Sequence, residues 1–255
     1  MTEKDPLAVG SVQKAFQVLH AFRDAGGPLS LAEIAAASGL DKSAAQRFSH
    51  SLWKLGYLEK DARTRRYRLG HRVLELSFSY LQGNRLVEAA MPMLAELRRA
   101  TGQRVSLSLW EDLSLIYAIR QQSQREYFWA SLIGRRVPLF CTAGGRAILA
   151  QLPPAEAADI LARSSLRPLT PQTLTDPAAI MQRVEAARRD GFGLATAEVE
   201  QGERVIGVAV QRTDGRPVGA LHLAAPLGEI DEAGFVARHA PLLLEVTRGL
   251  RSAAG

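Results

Sequence analysis

The sequence predicts an α+β protein: a winged helix-turn-helix head, then a larger unit in which an antiparallel sheet is flanked by helices. Three observations carry this. The first seventy residues hold three short amphipathic helices and two strand-like runs joined by an arginine-rich turn. Two later stretches pair alternating apolar runs around tight-turn residues. Capped amphipathic helices surround those hairpins, which is the pattern of α+β rather than of a parallel sheet.

The head begins with "SVQKAFQVLHAFR" at 11–23, where Val12, Ala15, Phe16, Leu19 and Phe22 recur at helical spacing. "DAGGP" stops that helix. Ser30, followed three residues on by Glu33, forms a capping box that opens "LAEIAAASG", and Gly39 closes it. Asp41 caps a third helix. In it Ala45, Phe48, Leu52 and Leu55 fall on one stripe, and Gly56 ends it. "YLEK" and "RRYRL" then read as two strands of a wing around "DART". A short helix, a glycine turn and a second helix match the helix-turn-helix arrangement. With the stripe turned inward, the outward face shows Lys42, Ser43, Gln46, Arg47, His50 and Lys54. Arginine suits guanine edges, glutamine suits adenine, and serine and lysine suit phosphates or base edges. The wing adds Arg63, Arg65 and Arg66, suited to phosphates or a minor groove. A plain solvated helix face is the alternative reading of the same residues.

Between head and body, "HRVLELSFSYLQGN" reads as a helix ending near Gly83. Its apolar residues fall on two stripes, Val73, Leu76 and Tyr80 on one and Leu74, Phe78 and Leu81 on the other. Such a helix wants two partners, either its own domains or a second copy of the chain. The expected division is a head at 8–70, a linker helix at 71–84 and a body at 85–255.

In the body, "LVEAAMPMLAELRRAT" is a helix that Pro92 kinks or restarts. "RVSLSLWE" and "LSLIYAIRQ" form a hairpin around Glu111-Asp112. "VPLFCTAGGRAILAQL" enters a helix after Thr142, and "LPPAEAADILA" opens another at its two prolines. "TDPAAIMQRVEAARRDG" is a third, marked at its start by Asp176 and Pro177. "RVIGVAVQ" and "PVGALHLAAP" form a second hairpin over a turn containing Asp214-Gly215. "DEAGFVARHAPLLLEVTRGLRSA" is helical and expected to break at Pro241.

Composition bounds the function. Hydrophobic residues make up 47% and charged residues 23% of the 255 residues, the balance of a soluble globular protein. No apolar run reaches the roughly 18–20 residues of a membrane span, so no membrane partner is expected. "MTEKDPLAVG" lacks the apolar core of a signal peptide. A single cysteine, Cys141, cannot form an internal disulfide, and a cytoplasmic setting is expected. The net charge is +6 with a pI near 9.8. Residues 1–75 carry 12 basic against 8 acidic side chains, and Lys60–Arg72 alone carries six basic against Asp61. A basic head on a near-neutral body points to a polyanion. No phosphate-binding loop, nucleophile elbow or zinc-protease motif occurs, and the five histidines lack metal-ligand spacing. Neither an enzyme, a metal nor a cofactor is expected.

Two body features have ligand chemistry. Thr142-Ala143-Gly144-Gly145 at a helix start offers free N–H groups to a carboxylate or phosphate. A simple cap with close packing explains the same residues. His222 shares a strand face with Ala220 and Ala224, opposite Leu221 and Leu223. It is either a satisfied core histidine or a donor, of a hydrogen bond or a charge, to an acidic ligand. The stretch "REYFWASLIGRRVPLF" is a pocket wall, a dimer surface or ordinary core.

"LSLAEIAAASGLDKSAAQRFSHSLWKLGYL", the arginine-rich wing and "YRLGHRVLELS" resemble the IclR family of bacterial transcriptional regulators. The likeness runs on through "TAGGRAILA", "GFGLATAEVEQGERV" and "GALHLAAP", nearly the whole chain. It implies a winged head on a GAF-like effector domain, working on a double-stranded DNA operator as a dimer or a dimer of dimers. It implies a pocket that includes Trp129, Leu132, Val137, Ala195, Val205, His222 and Ala224, beside Thr142, Ala143, Gly144 and Gly145. The family commonly has Asp at Ala195, Cys at Val205, and often Ser at His222 and Ala224. Those departures argue against the small oxoacid ligands of some members. "LFCTAGGRAILAQLP" and "EVEQGERVIGVAV" are more similar to the branch that controls aromatic-acid catabolism, so the implied effector is a small carboxylic, aromatic acid. A ligand-independent architectural DNA binder is the alternative.

Overall fold

The computed structural model describes residues 7–23, 25–123 and 133–255. The chain divides into two units, Met1–Tyr80 and Leu81–Gly255.

The first unit holds α1 (Gly10–His20), α2 (Leu31–Ser38), α3 (Lys42–Lys54), β1 (Leu58–Lys60) and β2 (Tyr67–Leu69). The Ser30–Glu33 capping box is present in both directions, and Gly39 ends α2 with φ +68°. Asp41 caps α3 by accepting from the Ala44 N–H at 2.8 Å. β1 and β2 pair antiparallel, Glu59 opposite Arg68. The core is Val18, Phe22, Ile34, Ala35, Ala45, Leu52, Leu58 and Tyr67. Three expected core positions are corrected. Leu55 lies past the end of α3 and is 56% exposed, and Ser49 takes the buried place between Ala45 and Leu52. Val12 and Phe16 are exposed, because α1 turns Val18 inward instead, with Phe22 just past its end in the same core. α4 (Arg72–Gln82) follows, and none of its residues is buried.

The second unit is built on a six-stranded antiparallel sheet in the order β5-β4-β3-β8-β7-β6. Its strands are β3 (Arg104–Glu111), β4 (Ser114–Gln121), β5 (Arg136–Pro138), β6 (Gly193–Thr196), β7 (Glu203–Gln211) and β8 (Pro217–Pro226). Both predicted hairpins form. Glu111 pairs with Ser114 across a tight turn in which Asp112 takes φ +48°. One sheet face, with Leu107, Val208, Leu221 and Leu223, packs on α5 (Arg85–Thr101) and α9 (Glu232–Gly249). α5 runs through Pro92 without a second start, and α9 runs through Pro241 without the break expected there. Val87 and Leu94, and Phe235 and Leu243, hold each helix to the core on either side of its proline.

The other face carries α6 (Ala143–Gln151), backed by α7 (Pro154–Arg163) and α8 (Pro177–Asp190). A Cβ on Gly207 of β7 would collide with the Gly144 nitrogen, so the first turn of α6 lies on the strand backbone itself. Arg146, 1% exposed, fixes this helix. It donates to Phe140 O at 3.2 Å and Leu194 O at 2.9 Å, and grips Glu198 with two bonds of 2.6 and 2.7 Å. Among the described residues no helix is long and apolar enough to cross a membrane.

Removing one partner of this pair strands a buried charge. Arg146→Met or Glu198→Ala is expected to destabilise the second unit by about 3–5 kcal/mol, read as a lowered urea midpoint. The double substitution to apolar residues should cost less than the two single losses added together.

Candidate functional site

In the first unit an open groove lies between α3 and the wing. Ser43, Gln46, Arg47 and His50 line its helix side, and Lys60 and Arg65 its wing side. The wing tip is shaped by Asp61. Its carboxylate accepts from the N–H groups of Thr64 at 2.6 Å and Arg63 at 3.0 Å, and from the Thr64 hydroxyl at 2.8 Å. These bonds, Thr64's first, hold the carboxyl below its usual range. Arg65 sits at φ +60° in this turn.

Of the other cationic candidates, Lys42 begins α3 and Lys54 ends it, with Lys54 Nζ 4.7 Å over the Trp53 ring. Arg63 lies in the turn outside the groove lining. Arg66 Nη1 donates to Pro28 O at 2.9 Å and Glu33 at 3.0 Å, which ties the wing to α2, while 43% of its side chain stays exposed. Lys60 and Trp53 also line the groove and were not singled out from the sequence.

In the second unit, a cavity of ≈ 30 Å³ lies between the sheet, the start of α6 and the turn from β6 to β7. That is the space of about one water. Strand register makes its wall. Ser106 stands opposite His222, Val205 opposite Ala224, and Ala195 opposite Val205, all on the α6 face. Thr142, Ala143, Ala195, Val205, His222 and Ala224 border it, as the sequence singled out.

Three candidates do not border it. Gly144 is packed against the sheet, where a Cβ would sit 2.7 Å from Ala220 Cβ and collide with the His222 ring. Gly145 is held against the Leu139 backbone. Their lack of side chains brings α6 close to its own protein rather than to a ligand. Val137 is buried with Leu115, Leu139 and Ile148 in a separate cluster. Trp129 and Leu132 lie outside the described residues. The Thr142 hydroxyl is also committed, accepting from Gly145 N–H at 3.1 Å as the α6 cap.

His222 is buried, 2.7 Å from Ser108 Oγ through Nε2, with Tyr117 tilted against its ring at 5.5 Å. Burial, then the Arg104 and Arg120 charges, push its pKa down to about 3. It is neutral at pH 7, so the expectation that it lends a charge is corrected.

The charged wall was not foreseen. Arg104 on β3 forms a forked ion pair with Glu203. Arg120 on β4 stands 3.8 Å from Glu200, whose other oxygen accepts from Arg135 at 2.6 Å. Burial raises the Glu200 carboxyl, but Arg135, Arg104 and Arg120 outweigh it, and its pKa is lowered. The only signal in the sequence was alternation: Arg104, Ser106 and Ser108 share one strand face. The turn that carries Glu200 is pinned at its base. Ala197 takes φ +56°, Thr170 Oγ1 donates to its carbonyl at 2.6 Å, and Thr173 Oγ1 donates to Glu198 O at 2.6 Å. Cys141, next to the α6 cap, is buried, and burial pushes its thiol up to about 12. Among the described residues no His/Cys/Asp/Glu cluster could hold a metal.

A winged helix-turn-helix with an open basic groove between α3 and the wing defines a DNA-binding protein. Comparison with known proteins gives the family. The description "IclR helix-turn-helix domain" matches residues 11–62, and "Bacterial transcriptional regulator IclR C-terminal" matches 78–250. The chain is 29% identical over 247 residues to the Pca regulon regulatory protein of Pseudomonas putida, covering 96% of this chain and 84% of that one. It is 26% identical over 249 residues to the p-hydroxybenzoate hydroxylase transcriptional activator of Acinetobacter baylyi, covering 96% and 91%. An IclR family regulator from Brucella abortus superposes with a TM-score of 0.83 at 25% identity, over 98% of this chain and 94% of that one. The chain belongs to the IclR family of bacterial transcriptional regulators.

The buried neutral histidine has a pH signature. The folded state refuses a proton that the unfolded chain accepts below its ordinary pKa of 6.5. Stability due to His222 is therefore present above that value and lost as pH falls toward 3, roughly 2 kcal/mol of it by pH 5. A His222→Gln variant should show a flatter fall in urea midpoint between pH 6.5 and 5. Equal slopes for the two proteins would count against a proton-refusing histidine.

Proposed function

We propose that this regulator controls catabolic genes in response to a small organic acid, with an aromatic acid as the favoured class. The observation that carries the reading is the cavity wall: buried arginines beside a neutral histidine and three small apolar side chains, Ala195, Val205 and Ala224. Arginine supplies the forked donor geometry that a carboxylate matches. The apolar residues suit the carbon frame of the acid. Two relatives, named for the Pca regulon and for p-hydroxybenzoate hydroxylase, support the aromatic class.

The α3 face reads DNA through Gln46 and Arg47, with Ser43, His50 and Arg65 nearby in the groove. Lys42, Lys54 and Arg63 act on phosphates at its ends. Exposed apolar side chains support a homodimer or dimer of dimers. On α4, Leu74 and Phe78 are each 65% exposed, and Leu76 and Tyr80 are also open to solvent. A second copy would remove them from water and bring two recognition helices to one operator. Acid and DNA are then coupled reciprocally: an acid that loosens the operator binds less tightly when the operator is present.

The purified protein should gain about 2.7 kcal/mol, several degrees in melting temperature, at a hundredfold excess of an effector over its Kd. Aromatic acids should do this and their amides should not. A panel of aromatic and aliphatic acids that leaves the melting curve in place would sink the acid reading and favour an architectural DNA binder. Arg47→Ala should cost about 1–3 kcal/mol in operator binding and relax sequence preference. Arg66→Ala should instead lower the stability of the head, since its guanidinium faces Pro28 and Glu33. Equal losses on specific and random DNA would make Arg47 a phosphate contact.

A further inference from the structure

The cavity wall holds a buried cation that the protein itself leaves under-served. Among the described residues, Arg104, Arg120 and Arg135 face Glu200 and Glu203 across the cavity mouth. The other carboxylate there, Glu198, is occupied by Arg146 and by the Leu174 N–H at 3.1 Å. Arg104 is forked onto Glu203. Glu200 spends its short bond on Arg135, at the solvent edge, and reaches Arg120 only at 3.8 Å. Arg120 is 4% exposed on its side chain, and its Nε–H is buried with no hydrogen-bond partner among the described residues. A guanidinium cannot shed its charge to escape this situation. A buried unpaired donor on a cation is costly, and such a group is held for a ligand or relieved by one.

The rest of the site fits one kind of occupant. Among the described residues, three guanidinium groups face two carboxylates that Arg146 does not hold, Glu200 and Glu203, an excess of one positive charge, which a monoanion cancels. Arg120 lines the cavity together with Ala195, Val205 and Ala224, so the anion must carry an apolar frame. The free volume is that of about one water, so nothing organic enters unless a wall moves. The wall with freedom to move is the Glu200 side chain. Its backbone lies between the pinned Glu198 and Gly202 at φ +80°, and the side chain itself is 32% exposed.

We propose that Arg120 is the receptor for the effector's carboxylate, and that Glu200 is its tethered stand-in, which the incoming acid displaces. This rests on the acid-responsive reading above. The unliganded site is then occupied by its own turn, and effector affinity is reduced by the fraction of molecules in which Glu200 is seated. Displacement frees Glu200 to move outward with Arg135, opens the cavity, and gives Arg120 a forked partner at hydrogen-bond distance.

Calorimetric titration of the full-length protein tests this, with benzoate, 4-hydroxybenzoate and hexanoate as probes and 4-hydroxybenzamide as the uncharged control. Glu200→Gln keeps the side chain's shape and removes its charge. It is expected to tighten binding of the best acid by about tenfold and leave the amide silent, because the competing state is gone. Arg120→Lys keeps the charge but not the fork, and is expected to weaken binding by about tenfold or more. Both variants must first match the wild-type circular dichroism. If Arg120→Lys fails that check, the Glu200→Gln result decides alone. Acid binding to the wild type that Glu200→Gln leaves unchanged or weakens would overturn the proposal and leave the acid reading intact. Silence of the wild type and Glu200→Gln across all three acids would overturn both.

Discussion

Arg146 and Glu198 form an ion pair almost wholly removed from water, and the second unit is arranged around it. Such a pair gains little net stability over apolar residues of the same size. What it supplies is position. Arg146 reaches the segment before α6 through Phe140, the end of β6 through Leu194, and the β6–β7 turn through Glu198. Leu174 and Thr173 bind the same glutamate from the segment before α8. One guanidinium therefore registers a helix, a strand and two loops against each other. Thr142 and Ala143 before and in α6, Ala195 on β6 and the β6–β7 turn residues border the cavity from those same elements, so this side of its wall follows from the pair.

The cavity has two electrostatic regimes within a few residues. At its floor, His222 is buried, neutral and bonded to Ser108. At its mouth, arginines and carboxylates are close, from the buried Arg104–Glu203 pair to Arg135 and Glu200 at the solvent edge. Arg120 shows the tension most clearly. Burial first, and Arg104 second, both lower its pKa, and Glu200 only partly offsets them. In the head the balance is reversed: the wing and recognition-helix cations face open solvent, where salt screens them and DNA phosphates can replace counter-ions.

Local order was legible in the sequence. Asp41, the Ser30–Glu33 box, Asp176-Pro177 and both hairpins specified their elements within a few residues, because caps and turns act through neighbours in the chain. Packing was less legible. Ser49 reads as polar and is buried, while Val12, Phe16 and Leu55 read as core and are exposed. Periodicity gives a stripe but not which edge of it meets another helix. Gly144 and Gly145 were open to two readings, and only the approach of Gly207 and Leu139 decides for close packing. The charged wall was least legible. Arg104 meets Glu203 across 99 residues of chain, and Arg120 is placed by a register that no local pattern reveals. On a strand, an arginine facing a cavity and one facing solvent look the same in sequence.

Cys141 gives the molecule a built-in clock. It is the sole thiol in the chain, it has no exposed surface, and its proton is held far above neutral pH. Thiol reagents attack the thiolate, so modification must wait until the α6 region opens. The labelling rate then counts openings of the region that carries Arg146, without a probe being introduced anywhere in the protein. Anything that steadies that region, a bound acid included, would be timed by how long Cys141 stays unreacted.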